Sequence, residues 1–366
     1  MGCYSRPSLK RLAIAITLAA WACVPPPVAP PAVFPLTFSW VAPTEGRLIP
    51  PLATDGVRVF AAAQGQGVRA FDPGTGAIVW RDPEREGALS ATPGALYLRE
   101  PDGLVWRLDP TNGAPLWSAH TGVAGELPPA LVAGRLVVAG EGVAALDPGS
   151  GRSLWEADAG SSVAPPAGGA ACVLLSEADG SLRCRNPASG TEIWRRRFDT
   201  PLRAAPVLDD SGRVLVGTAD RQFVALRARD GKQLWRWKLG ADVDGAPVVV
   251  GDEVVFASFE NVLWSLRRGS GNLAWREGLP TRPLEGPRLL GPALIVATRE
   301  NQVLGFDARS GRRLGQMELE AELQAAPIVV ADLLVVGLRD RTVAALAMNQ
   351  RPLESELSTP ERGTRP

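Results

Sequence analysis

Histidine is nearly absent from this chain of 366 residues, in which His120 stands alone. A metal centre built on histidines is therefore excluded, and no Gly-x-Ser-x-Gly pattern accompanies His120 to suggest a catalytic nucleophile. An excess of one charge is lacking too. Thirty-nine basic residues balance 39 acidic ones, which gives no reason to expect nucleic acid as a partner. No Trp-Asp pair occurs, so the signature of WD40 repeats is missing. Apolar residues spaced at i, i+3 and i+4 are also wanting, which argues against a helical repeat. The apolar run Leu12–Ala22 has eleven residues, too few to span a bilayer.

What the chain has in quantity is turns and tryptophan: 39 Gly, 33 Pro and 11 Trp. They are periodic. AFDPGTGAIVW (70–80), RLDPTNGAPLW (107–117), AALDPGSGRSLW (144–155), CRNPASGTEIW (184–194), ALRARDGKQLW (225–235) and SLRRGSGNLAW (265–275) are one unit, and GFDARSGRRLG (305–315) repeats it with Gly315 in place of Trp. The closing positions are 37 to 41 residues apart. Asp, Pro and Gly at these offsets make a tight turn, so each unit is a β-hairpin ending in a large apolar anchor. A second hairpin lies upstream in every period. Four short strands per forty residues predict a propeller blade.

Counting predicts an all-β fold: eight blades of four antiparallel strands. Trp40 is in phase with Trp80, yet no strands precede it to form its blade. At the other end, Gln324–Leu346 supplies three strands, after which the pattern stops. The N-terminal strand is therefore expected to complete the last blade, which removes exposed sheet edges. Pro51, Pro93, Pro129, Pro166, Pro206, Pro247, Pro287 and Pro327 are expected to begin the innermost strands. Trp residues at the fixed position read as packing between blades, and Trp106 and Trp264 as packing within the third strands.

The ends have another character. Arg6, Lys10 and Arg11 precede the apolar run, and Ala20-Trp21-Ala22 precedes Cys23. Residues 1–22 read as a signal peptide, with Cys23 either a lipidated first residue or merely the start of the mature chain. Residues 23–35, rich in proline, read as a stiff tether, residues 36–348 as the propeller, and 349–366 as a disordered tail.

Cys172 and Cys184 lie on two arms of one hairpin. They are either a cross-strand disulfide, as an exported protein allows, or two small buried thiols. Asp209-Asp210 reads as turn chemistry. No catalytic set, metal site or cofactor is expected.

The repeated unit resembles the quinoprotein, or PQQ-like, propeller repeat over about nine tenths of the chain. Two groups divide that resemblance. Quinoprotein alcohol dehydrogenases carry an adjacent Cys-Cys pair and calcium-binding acid and amide ligands, and this chain has no Cys-Cys. The stretch Asp242-Val243-Asp244-Gly245-Ala246-Pro247-Val248-Val249-Val250, followed by VVFASFENVLWSLRRGSGNLAW, is similar instead to BamB, the lipoprotein subunit of the outer-membrane β-barrel assembly machine. That resemblance implies a non-catalytic scaffold lipid-anchored at the periplasmic face of the outer membrane. It implies docking of a BamA-like subunit through its POTRA repeats, with Leu202 as an apolar anchor and Arg203, Asp242 and Asp244 as polar contacts. Periodicity adds that Arg203 and Asp244 each stand three residues before a strand-opening proline, on adjacent loops of one face. The plain alternative for them is an Arg203–Asp244 ion pair. A propeller with another envelope client, one that binds carbohydrate, and a PQQ-dependent dehydrogenase are the competing functions.

Overall fold

The repeated turn sets the local geometry. The Asp72 carboxylate accepts hydrogen bonds from the backbone N–H groups of Gly74 (3.1 Å) and Thr75 (2.9 Å) and from the Thr75 hydroxyl (2.8 Å). Gly76 then closes the turn at φ +72°, a conformation open to glycine at little cost. The same carboxylate contacts recur at Asp147–Ser150 and Asp307–Ser310. With the turn set, the flanking strands pair in one register, with Ala70 opposite Trp80, Ala145 opposite Trp155 and Ala225 opposite Trp235.

The computed structural model describes residues 33–348, which form eight antiparallel sheets and no helix. They are the blades of an eight-bladed β-propeller. In the first blade the strands run from inner to outer as Leu48–Thr54, Val59–Ala63, Gly67–Phe71 and Ile78–Asp82. The third blade merges its two middle strands into one element, Arg135–Leu146, which turns through Gly140–Gly142. Leu323–Val330, Leu333–Leu338 and Thr342–Ala347 make three strands of the eighth blade, and Thr37–Pro43 from the other end of the chain is its outer strand. Trp40 there faces Ala345, the register that the first six blades use for their Trp.

Middle strands such as Val59–Ala63 and Gly67–Phe71 are buried along their whole length. The core therefore lies between blades, as where Phe60, Val68 and Trp80 of the first meet Leu89, Leu96 and Leu108 of the second. Each Trp ring also packs on the turn of the next blade. Except at Trp275, whose indole N–H has no partner among the described residues, the indole N–H donates to that turn's second carbonyl, as from Trp80 to Pro110 (2.9 Å), Trp155 to Pro187 (2.9 Å) and Trp235 to Arg268 (2.9 Å). The turn glycine lies flat beneath the ring, since a Cβ on Gly113 would sit 2.7 Å from Trp80 and one on Gly271 2.7 Å from Trp235. One glycine thus serves two demands, a positive φ and close approach of an aromatic ring.

Gly315 interrupts the series for a topological reason. The eighth blade is split between the chain ends, so its third strand does not continue through a turn into its fourth. A tryptophan at 315 would have no such turn to dock on. Phe34 fills the space instead: a Cβ on Gly315 would lie 2.6 Å from it, and Gly305 opposite leaves room on the same side. Val33 and Phe34, expected at the end of the tether, are therefore buried between the seventh and eighth blades with Leu36. The expected signal peptide, Cys23, the rest of the tether before Val33 and the tail 349–366 lie outside the described residues.

The prolines need a correction. Pro129, Pro166, Pro206, Pro247 and Pro287 do immediately precede inner strands. Pro51 and Pro327 instead lie inside theirs, where the pairing register shifts and no amide donor is required. Pro93 falls in the turn after the inner strand Ala88–Thr92, where its fixed φ suits the turn.

Candidate functional site

The candidate residues sit on two neighbouring loops, one entering the inner strand Val207–Leu208 of the fifth blade and the next entering Val248–Val250 of the sixth. Their repeat position locates them. Leu48, Glu126, Val163 and Gln324 stand three residues before Pro51, Pro129, Pro166 and Pro327, and all four line one cavity of about 920 Å³. Because five blades contribute to that cavity, it is the mouth of the central channel. Arg203 and Asp244 occupy the same position in their own repeats.

Leu202 is corrected by the structure. Its side chain is 0% exposed, packed with Trp194, Phe198, Val214 and the two cysteines. It fastens the loop from below and offers no surface to a partner. Val243, the sister residue, does the same at 1% exposure, wedged against Gly217. In each loop a buried apolar residue therefore holds the chain down and turns its charged neighbour toward water. Arg203 is exposed, while Asp242 and Asp244 are half-buried.

The alternative reading, an Arg203–Asp244 ion pair, is not met among the described residues. Desolvation pushes the Asp244 carboxyl above its ordinary range, the charges of Arg203 and Arg299 pull it back, and Asp242 adds to the rise. Glu285, on the adjacent loop, is raised for the same first reason, with Arg288 opposing and Asp244 reinforcing. Its side chain keeps 46% of its surface open to water and pairs with Arg288 at 3.2 Å. Water access therefore limits the rise at Glu285. The loops meet backbone to backbone, since a Cβ on Gly245 would lie 2.5 Å from the Cα of Gly286.

Sequence reasoning missed the residues that complete this surface. Phe259 is tied to the site by its N–H, which donates to the Asp242 carbonyl at 2.9 Å. The guanidiniums of Arg282 and Arg299 lie 5.0 and 6.0 Å from its ring centre. A usable signal existed: Phe259 holds a turn position filled by Ala178, Ala219, Arg299 and Arg339 in sister blades. Arg99, also missed, lies under the channel mouth and donates to the carbonyls of Val123 (2.7 Å), Leu127 (2.9 Å) and Ala139 (2.6 Å). Burial lowers it to about 10, so it stays charged at neutral pH.

Cys172 and Cys184 are both fully buried, with sulfurs at bonding distance and Cα atoms 5.4 Å apart. They are diagonal neighbours, since Cys184 faces Leu174. Among the described residues no three His, Cys, Asp or Glu side chains are grouped to hold a metal ion.

The sequence matches the family model described as outer membrane protein assembly factor BamB over residues 37–168, 178–294 and 268–352. No curated protein sequence matches it. Among solved structures, BamB from Moraxella catarrhalis is similar at 18% identity and a TM-score of 0.69, covering 87% of this chain and 99% of that one. The computationally designed Ika8 protein is similar at 17% identity and a TM-score of 0.73, covering 84% and 98%. At these identities the structural likeness speaks for the fold alone.

Proposed function

The chain belongs to the family of the outer membrane protein assembly factor BamB, and from that premise we propose that it is a non-catalytic scaffold assisting the assembly and insertion of β-barrel proteins at the outer membrane. The observation that carries this reading is the pair of pinned loops, which turn Arg203, Asp242 and Asp244 outward while their apolar neighbours stay buried. Rigid loops with charged tips bind a protein surface at little ordering cost. Their partner would be a BamA-like barrel-assembly subunit, engaged through its POTRA repeats. Half-buried Asp244, with no ion-pair partner among the described residues, is the group best placed to gain from a cationic side chain on that subunit.

The scaffold would act from the periplasmic face of the outer membrane, with Cys23 as its lipid-bearing first residue. The test of docking is co-purification from detergent-solubilised envelopes. Asp242→Asn with Asp244→Asn, and separately Arg203→Glu, should each reduce recovery of the barrel-assembly subunit at least tenfold while the protein stays folded. Undiminished recovery with both variants would place the docking surface elsewhere. Leu202 is left intact, because its loss would unfasten the loop rather than probe the contact.

A further inference from the structure

Next to the channel mouth, at the seam between the eighth and first blades, lies a second cavity of about 410 Å³ lined by Arg47, Gln324, Arg339 and Arg341. Arg47 precedes the inner strand of the first blade, whereas Arg339 and Arg341 sit on the middle turn of the eighth. The cavity therefore exists only where the two ends of the chain meet. The two loops are tied together, because the N–H of Thr44 donates to the Arg341 carbonyl at 2.7 Å and the Thr44 hydroxyl lies 2.8 Å from the same oxygen. Beneath them the buried Arg69 donates to the Thr44 carbonyl and to the Glu45 carboxylate, the latter at 2.6 Å.

That last contact matters for charge. Glu45, the acid nearest Arg47 in the chain, is taken up by Arg69. Among the described residues neither Arg47 nor Arg341 has an acidic partner. Arg339 pairs with Glu322 at 2.8 Å, but both side chains are more than half exposed, a kind of pair that an incoming anion displaces readily. Arg341 also holds φ +69°. Sister turns place Gly103, Gly180, Asn261 or Asn301 there, and the fifth blade also has an arginine, Arg221 at φ +62°. What sets Arg341 apart from Arg221 is its company, since it lines a cavity together with two other arginines.

We propose that this seam cavity binds a phosphate group, carried either on a small soluble ester or on a lipid headgroup. Three guanidinium forks suit a tetrahedral anion with several oxygens, whereas one fork already satisfies a carboxylate. The cavity is larger than phosphate needs, which leaves room for the substituent.

Calorimetric titration of the full chain with inorganic phosphate and glycerol 3-phosphate at low salt, and sedimentation with phosphatidylglycerol or phosphatidylcholine vesicles, test this. The informative variant is Arg47→Gln with Arg341→Asn, since asparagine suits the turn and should keep melting unchanged. At least one phosphate probe should bind, weaken at least tenfold in that variant and weaken with salt, while Arg152→Gln, on an exposed outer turn, leaves binding as it was. Binding of glycerol 3-phosphate assigns a soluble ester; binding confined to phosphatidylglycerol vesicles assigns a headgroup. The proposal fails if no probe binds, if the folded double variant binds equally well, or if Arg152→Gln costs as much.

Discussion

At the scale of single residues, the loop carboxylates show how stability and function diverge. Asp244 is raised by desolvation without gaining an ion pair among the described residues. Its ionised form is therefore disfavoured in the folded state relative to the unfolded chain, where aspartate titrates near 3.9. The sign follows from linkage. Between the unfolded and the raised folded value the native state binds more protons, so stability falls as pH rises through that window and recovers as pH falls. Asp244→Asn should melt at the same temperature as the parent or above it at neutral pH, with a flatter pH dependence, while partner binding is lost. A clear fall in melting temperature would show that the carboxylate is structural. Periodicity could place Asp244 beside Arg203, but not show that the two side chains stop short of an ion pair among the described residues. It did carry a warning about Leu202, because Val243 and Leu323 hold the same repeat position and an apolar residue recurring there is architecture, as it is for the tryptophans.

At the scale of elements, turn and tryptophan are one device spanning two blades. A blade contributes the ring, the next contributes a flat glycine and a carbonyl, and neither is complete alone. Where the chain ends leave the eighth blade without that turn, the device is replaced by Phe34. Phe34→Ala should therefore cost about 3 kcal/mol, the usual effect of deleting a buried phenyl group. Chemical denaturation would measure it, and a loss within experimental error would mean that Phe34 merely covers the seam. The missing tryptophan at 315 was legible from the repeat. Its replacement was not, because Phe34 lies nearly three hundred positions away in a proline-rich stretch whose composition suggests only a spacer.

At the scale of the whole molecule, closure joins strand Thr37–Pro43 to Thr342–Ala347, and the Pro43 end of that strand leads into Thr44, which meets Arg341 beside the arginine cavity. Mass spectrometry of the mature protein bears on both chain-level proposals. The N-terminal residue should be Cys23 carrying lipid, and Cys172 and Cys184 should resist alkylation until reduced. An unmodified Cys23 would remove the anchor, and prompt alkylation of both cysteines in the unfolded but unreduced chain would remove the disulfide. If formed, that bond closes a short loop and would stabilise by about 3 kcal/mol.

The blade count, the shared eighth blade and the recurring position of the hairpin-closing tryptophans are legible along the chain, because each follows from local chemistry repeated at a fixed interval: a turn that only certain residues make, and a strand period that decides which side is buried. What happens between repeats is visible in the folded ring alone. The burial of Leu202, the filling of the Gly315 gap by Phe34, the stacking of Arg282 and Arg299 on Phe259 and the meeting of Arg47 with Arg341 all join residues from different loops. Such contacts depend on how a closed ring brings neighbouring blades, and the two chain ends, together in space, and no periodicity along the chain encodes that.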